Sequence, residues 1–116
     1  MPDFIEDERG YIQELDLGDH IDAVLEIMTR AGCIRGNHWH RDTTHWTYVV
    51  SGKLQIRNGG HTITAGPGCL VEARPGMEHA WVALEDTVAL EFKRGAGARG
   101  QENYEADVVR LEVPLL

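Results

Sequence analysis

Residues 32–52 read Gly32-Cys33-Ile34-Arg35-Gly36-Asn37-His38-Trp39-His40-Arg41-Asp42-Thr43-Thr44-His45-Trp46-Thr47-Tyr48-Val49-Val50-Ser51-Gly52, and they carry three of the chain's six histidines between two glycines. Side chains alternate between the faces of a strand, so His38 and His40 project from the same face of one strand. His45 opens the next β-branched and aromatic run, and His79 follows a Pro75-Gly76 turn. One strand supplies two imidazoles in this way and its neighbours supply the rest, which is the pattern of a metal site.

Outward from this stretch, short runs rich in β-branched and aromatic residues recur at 11–15, 23–28, 34–40, 45–51, 54–57, 61–64, 69–72, 79–83, 87–92 and 107–112, separated by turn residues. This is an all-β rhythm. Asn58-Gly59-Gly60 joins two of the runs in a tight hairpin, since Asn and Gly tolerate the positive φ such turns demand. No stretch keeps helical apolar spacing over eleven or more residues, so no helix is expected. Strands this numerous in a short chain favour closure into a sandwich-like barrel that hides its edges. The glycine-rich Arg94–Gln101 segment reads as a mobile loop, a linker first and a lid over a barrel mouth second.

With 116 residues, the chain holds material for one domain able to bury roughly 65% of its unfolded surface. Nineteen acidic against eleven basic residues give a net charge of −8, which argues against nucleic acid or an anionic membrane as partner. Cys33 and Cys69 lack paired spacing and read as reduced core residues, which suits the cytoplasm. No apolar run approaches the ~18 residues of a membrane helix, and no signal-peptide layout is seen.

Gly32, His38, His40, His45 and Gly52, with five, one, four and six residues between them, resemble the first motif of the cupin superfamily in every spacing. His45 stands where that family usually has Glu. Gly68 and Pro75-Gly76-Met77-Glu78-His79 resemble the second motif, with Ala73 where a proline is common. The resemblance covers residues 23–92 around a motif core at 32–83. It implies an all-β, cupin-type jelly-roll barrel of two antiparallel sheets, a single domain over 1–116. Arg35 to His40, with Asp7-Glu8-Arg9-Gly10 and Asn103-Tyr104-Glu105-Ala106-Asp107, is also similar to single-domain cupins that include the modules of nucleotide-sugar epimerases and ketoisomerases acting on 4-keto sugars.

Neutral imidazoles suit Zn²⁺, Fe²⁺, Mn²⁺, Ni²⁺ and Cu²⁺ alike, so a divalent transition metal on His38, His40, His45 and His79 is the expectation. With His45 in place of a carboxylate no ligand is anionic, and the ion's full charge remains to polarise a carbonyl. Interior histidines without metal, or a closed structural zinc, are the plain alternatives. His20 and His61 lie outside the pattern and read as surface or turn residues. Alternation turns Thr47, Val49 and Trp81 inward with the ligands, making Thr47 and Trp81 pocket residues. The same parity sends Trp39, Trp46 and Tyr48 to the opposite face. Arg35, Arg57, Arg74 and Lys53 are candidates for an anionic ligand, Arg35 foremost because its fork matches phosphate oxygens.

Proton transfer next to a carbonyl requires an acid or base tuned by burial, for which Glu91, Glu72 and Tyr104 are the candidates. The leading reading is a metal-dependent isomerase or epimerase acting on a carbohydrate-derived or polar keto substrate, a nucleotide-linked sugar among the candidates. A dioxygenase using O2 and a non-catalytic metal- or sugar-binding cupin are the alternatives. A homodimer is expected, because small barrels with an aromatic outer face commonly bury it against a second copy.

Overall fold

Alternation of side chains along ten short runs dictates sheets with one inward and one outward face, and the computed structural model, which describes residues 4–15 and 17–116, shows them. In chain order the strands are β1 (Phe4–Asp7), β2 (Gly10–Gln13), β3 (Ala23–Thr29), β4 (Ile34–His40), β5 (Thr43–Ser51), β6 (Leu54–Asn58), β7 (His61–Ala65), β8 (Leu70–Ala73), β9 (His79–Ala83), β10 (Thr87–Gly95) and β11 (Val108–Arg110), with helix α1 (Gln101–Asp107) before the last. β1 and β2 form a hairpin. The remainder build a four-stranded sheet ordered β3-β10-β5-β8 and a five-stranded sheet ordered β11-β4-β9-β6-β7. All pairings are antiparallel, and the two sheets make the jelly roll.

Val49, Leu54, Ile56, Ala65, Trp81 and Ala83 close the sandwich at one end as a continuous apolar core. Val49 and Leu54 are wholly buried, worth roughly 1.5–3 kcal/mol each in apolar transfer. Gly52 turns β5 into β6 at φ +92°, where a Cβ would strike the Asp86 carbonyl and Thr87. A side chain there is excluded both by space and by backbone conformation.

Three expectations require correction. Gln101–Asp107 is a helix of seven residues, shorter than the window over which apolar periodicity can declare itself. The glycine-rich segment is no free loop: Arg94 and Gly95 complete β10, and Gly97 and Ala98 are buried. Cys33 and Cys69 are free and exposed rather than core, because each closes a turn, its N–H donating to the carbonyl three residues earlier. No helix among the described residues is long and apolar enough to cross a membrane.

Candidate metal centre and its cavity

At the open end of the sandwich, β4 and β9 run antiparallel and place His38 directly opposite His79. The register slips between Gly36 and His38, so Asn37 is an extra residue in β4. It adopts φ 59°, the left-handed region that Asn tolerates better than most residues. A bulge of one residue reverses the parity of everything after it. Arg35, opposite Trp81, and His38, opposite His79, therefore share a face although they are three residues apart. The Asn37 side chain holds the bulge in place: its Oδ1 accepts the Leu115 and Leu116 N–H groups at 2.8 and 3.2 Å, and its Nδ2 donates to the Leu116 carbonyl.

His38, His40, His45 and His79 are all buried. One nitrogen each from His38, His40 and His79 lies within 4.8 Å of the others, and His45 Nε2 is 3.2 Å from His79 Nε2. Donors sharing one first-row ion at roughly 2.1 Å stand roughly 3–3.5 Å apart. The His45–His79 spacing meets that figure, and the trio needs modest inward adjustment.

Hydrogen bonds on the far side of two rings prepare the lone pairs. His40 Nδ1 is 2.9 Å from Asp107 Oδ2, and His79 Nδ1 is 3.1 Å from the Met77 carbonyl. Both acceptors demand a proton on Nδ1, which leaves Nε2 bare and free to ligate. Burial keeps the rings neutral, lowering His38 to about 3 and His79 to about 4 and pushing His45 and His40 down as well. His38 Nδ1 and His45 Nδ1 are buried with no hydrogen-bond partner among the described residues. The donor set thus fits a divalent transition metal.

Asp107 is itself tightly held. Burial alone would raise its carboxyl pKa, and hydrogen bonds from Thr43, the Asp42 N–H and His40 outweigh that and bring it below the usual value. Gly97 lies against this carboxylate so closely that a Cβ there would collide with Asp107 Oδ2, Cβ and Cγ.

The histidines open onto a cavity of about 540 Å³, within the range of small-molecule sites. Leu25, Ile27 and Trp81 contribute apolar wall, and Arg35, Glu91, Lys93, Tyr104 and Arg110 contribute polar groups. Along β10 the odd-numbered Thr87, Ala89, Glu91 and Lys93 are buried, while Val88, Leu90, Phe92 and Arg94 are half-buried on the outer face. Burial raises the Glu91 carboxyl pKa against the pull of Lys93, whose Nζ is 3.6 Å from Glu91 Oε1. His45 Nδ1 stands 3.7 Å from Glu91 Oε2.

Of the residues singled out from sequence, Glu91, Tyr104, Arg35 and Trp81 line this cavity with the four histidines. Arg35 is partly engaged, its Nε donating to Thr29 Oγ1 and one terminal nitrogen to the Met28 carbonyl, both at 2.9 Å. Thr47 lies deeper, in a small void beneath His45 and His79. Glu72 is a correction. It pairs with Trp46 across β8 and β5, and both side chains face outward. Its carboxylate accepts from Trp46 Nε1 at 3.0 Å and Arg74 Nε at 2.7 Å, which lowers its pKa, the Arg74 bond most. Trp46 is nevertheless buried, beneath the Arg94 guanidinium at 5.0 Å.

Lys93, Asp107 and Arg110 were missed. The parity of Glu91 would have carried Lys93 with it, but Asp107 sits at a helix–strand junction that has no sequence signature. Arg110 enters through the pairing of β11 with β4, a contact invisible in sequence.

The sequence matches the family described as Cupin domain over residues 25–92. Among curated proteins, none matches it in sequence. Similar solved structures include dTDP-4-dehydrorhamnose 3,5-epimerase from Sulfolobus tokodaii, 20% identical over 80% of this chain and 66% of that one, with a TM-score of 0.67. The QdtA 3,4-ketoisomerase from Thermoanaerobacterium thermosaccharolyticum, a double mutant in complex with TDP, is 19% identical over 92% of this chain and 81% of its own, with a TM-score of 0.72. The capsular polysaccharide assembling protein CapF from Staphylococcus aureus is 24% identical over 95% of this chain, with a TM-score of 0.64. This chain spans 66% of the epimerase and 32% of CapF. At these identities the likeness is one of fold.

Proposed function

The chain belongs to the cupin domain family, and from that premise we propose that it is a metal-dependent enzyme of the isomerase or epimerase type, acting on a carbohydrate-derived or polar keto substrate. The observation that carries this reading is the convergence of buried, neutral imidazoles beside a buried carboxylate in a cavity of small-molecule size. His38, His40, His45 and His79 would hold a divalent ion, with Zn, Fe, Mn and Ni all compatible. When bound, such an ion supplies Lewis-acid polarisation of a carbonyl oxygen.

The chain's own groups then perform the proton work. Glu91, its basicity increased by burial, takes the proton from the carbon next to the carbonyl. The electron pair of that C–H bond moves toward the carbonyl, forming the enolate. Protonation of the same carbon on the opposite face by a second acid gives an epimer; where that carbon bears a hydroxyl, passage of the hydroxyl proton to the enolate oxygen, with the proton from Glu91 delivered to the former carbonyl carbon, gives an isomer. Tyr104, whose hydroxyl pKa burial raises, stays protonated at neutral pH and serves as donor. Trp81 offers an apolar platform to a ring, Arg35 offers its remaining donors to substrate oxygens, and Thr47 supports the floor under His45 and His79. The nucleotide-sugar enzymes among the fold relatives support a nucleotide-linked sugar as substrate.

Incubation of the purified, metal-analysed protein with dTDP-linked 4-keto sugars in D₂O tests the reading. Deuterium is expected to enter the position next to the carbonyl, and Glu91→Gln is expected to slow its entry about 10²–10⁴-fold. Oxygen uptake by the iron-loaded protein without deuterium exchange would transfer the site to dioxygenase chemistry. Ligand binding with neither reaction would leave a binding module.

A further inference from the structure

Lys93 is used by none of these steps, yet its side chain is only 5% exposed and points into the cavity. An ammonium has three donors. Among the described residues, the nearest carboxylate oxygen stands at 3.6 Å, the Tyr104 ring centroid lies 5.0 Å from Nζ, and the four imidazoles are close enough to feel the ammonium's charge. A buried cation needs close hydrogen-bonded compensation, and a long ion pair with a ring face is an incomplete supply.

The sheet registers repeat this feature on the other side of the site. Lys93 lies directly opposite His45 on β5, and Arg110 lies directly opposite His38 on β4. Two cations therefore flank the imidazole cluster, one from each sheet. Tyr104 lies between them, with Lys93 over its ring and the Arg110 charge close enough to pull its hydroxyl pKa down against burial. Arg110 reaches the mouth and is 60% exposed, its pair with Glu105 a loose 3.5 Å. With Arg35, the lining carries three cations against the inward carboxylate of Glu91, Glu26 at the rim standing opposite outward-facing Leu90, although the chain as a whole carries −8. Such a local inversion of charge, walled by low-dielectric sheet, draws anions into the cavity.

We propose that Lys93 and Arg110, on either side of Tyr104, form an oxyanion-binding subsite that takes a carboxylate or phosphate of the substrate and docks it against the imidazole cluster. The subsite makes the substrate an anionic sugar or keto acid rather than a neutral one, with Lys93 as the deep anchor and Arg110 as the entry contact. This rests on reading the cavity as the substrate site, and it is tested by binding rather than turnover.

D-glucuronate, D-glucose 1-phosphate and D-glucose are titrated into the purified protein, with metal content measured first and binding followed by ¹⁵N chemical shifts. At least one of the two anions is expected to bind saturably and at least about tenfold more tightly than glucose. Preference for glucuronate identifies the carboxylate as the group held, and preference for glucose 1-phosphate identifies the phosphate. Lys93→Met is expected to abolish that advantage and Lys93→Arg to retain it. Arg110→Gln, at an exposed position, is expected to weaken the anion about threefold or more with little effect on glucose. Equal binding of all three sugars, no saturable binding of either anion, or an anion advantage that survives both Lys93→Met and Arg110→Gln would overturn the subsite. Anion binding with these dependences but no deuterium exchange on keto sugars would keep the subsite and remove the isomerase reading. Exchange on neutral keto sugars at an undiminished rate in Lys93→Met would do the reverse.

Discussion

Single residues decide the chemistry of this site by what lies behind them. His38, His40, His45 and His79 are recognisable from spacing alone, because strand alternation and the glycine brackets fix where they point. What gives two of them a defined tautomer, the Asp107 carboxylate and the Met77 carbonyl, was illegible, since the first is a tertiary contact and the second depends on how the turn before β9 folds. The depressed histidine pKa values also make stability depend on pH. In the unfolded chain these rings protonate near 6.5, whereas burial holds His79 at about 4 and His38 at about 3 in the folded state. As pH falls below 6.5 the unfolded state binds protons that the folded state refuses, so stability is complete above that value and is lost progressively toward 4 and 3. The urea midpoint of metal-free protein is accordingly expected to be lower at pH 5 than at pH 7.5. A midpoint that stays level would show the imidazoles to be already charged or exposed.

At the scale of elements, the positions of the strands were readable from alternation, and the interruptions were not. The Asn37 bulge is one example, since strict alternation would put Arg35 and His38 on opposite faces. The glycine-rich stretch is another. Composition suggested looseness, yet Gly97 lacks a side chain because Asp107 occupies the space. Gly97→Ala should therefore reproduce Asp107→Asn: the methyl displaces the carboxylate, His40 loses the acceptor that fixes its tautomer, and metal affinity falls about 10–100-fold in both variants. Competition against a chromogenic chelator measures this. Wild-type affinity in Gly97→Ala would mean the loop can yield without moving Asp107. Helix α1 escaped notice because seven residues give too few turns for a period to emerge, and no side chain caps its N-terminus.

For the whole molecule, the jelly roll was legible because the cupin spacings and the strand count agree, while assembly was not. The four-stranded sheet turns Val24 and Met28 of β3, Leu90 and Phe92 of β10 and Tyr48 of β5 to its outer side, paired across the strands. Val24 and Met28 are 54% and 43% exposed. An apolar sheet face of this kind supports a homodimer built by a two-fold axis. Sedimentation velocity is expected to return twice the 13.0 kDa of one chain, and Val24→Asp is expected to shift the protein to monomer with its metal content intact. A wild-type monomer would assign the face to a different role.

The hook between Asn37 and residues 115–116 has a practical consequence for anyone producing the protein. The Leu115 and Leu116 amides rest on the side chain that precedes His38, so a cut or fusion placed close to them would disturb the bulge that aims His38 into the cavity. Purification handles belong away from residues 115–116, and a polyhistidine handle is cleaved before any metal stoichiometry is measured.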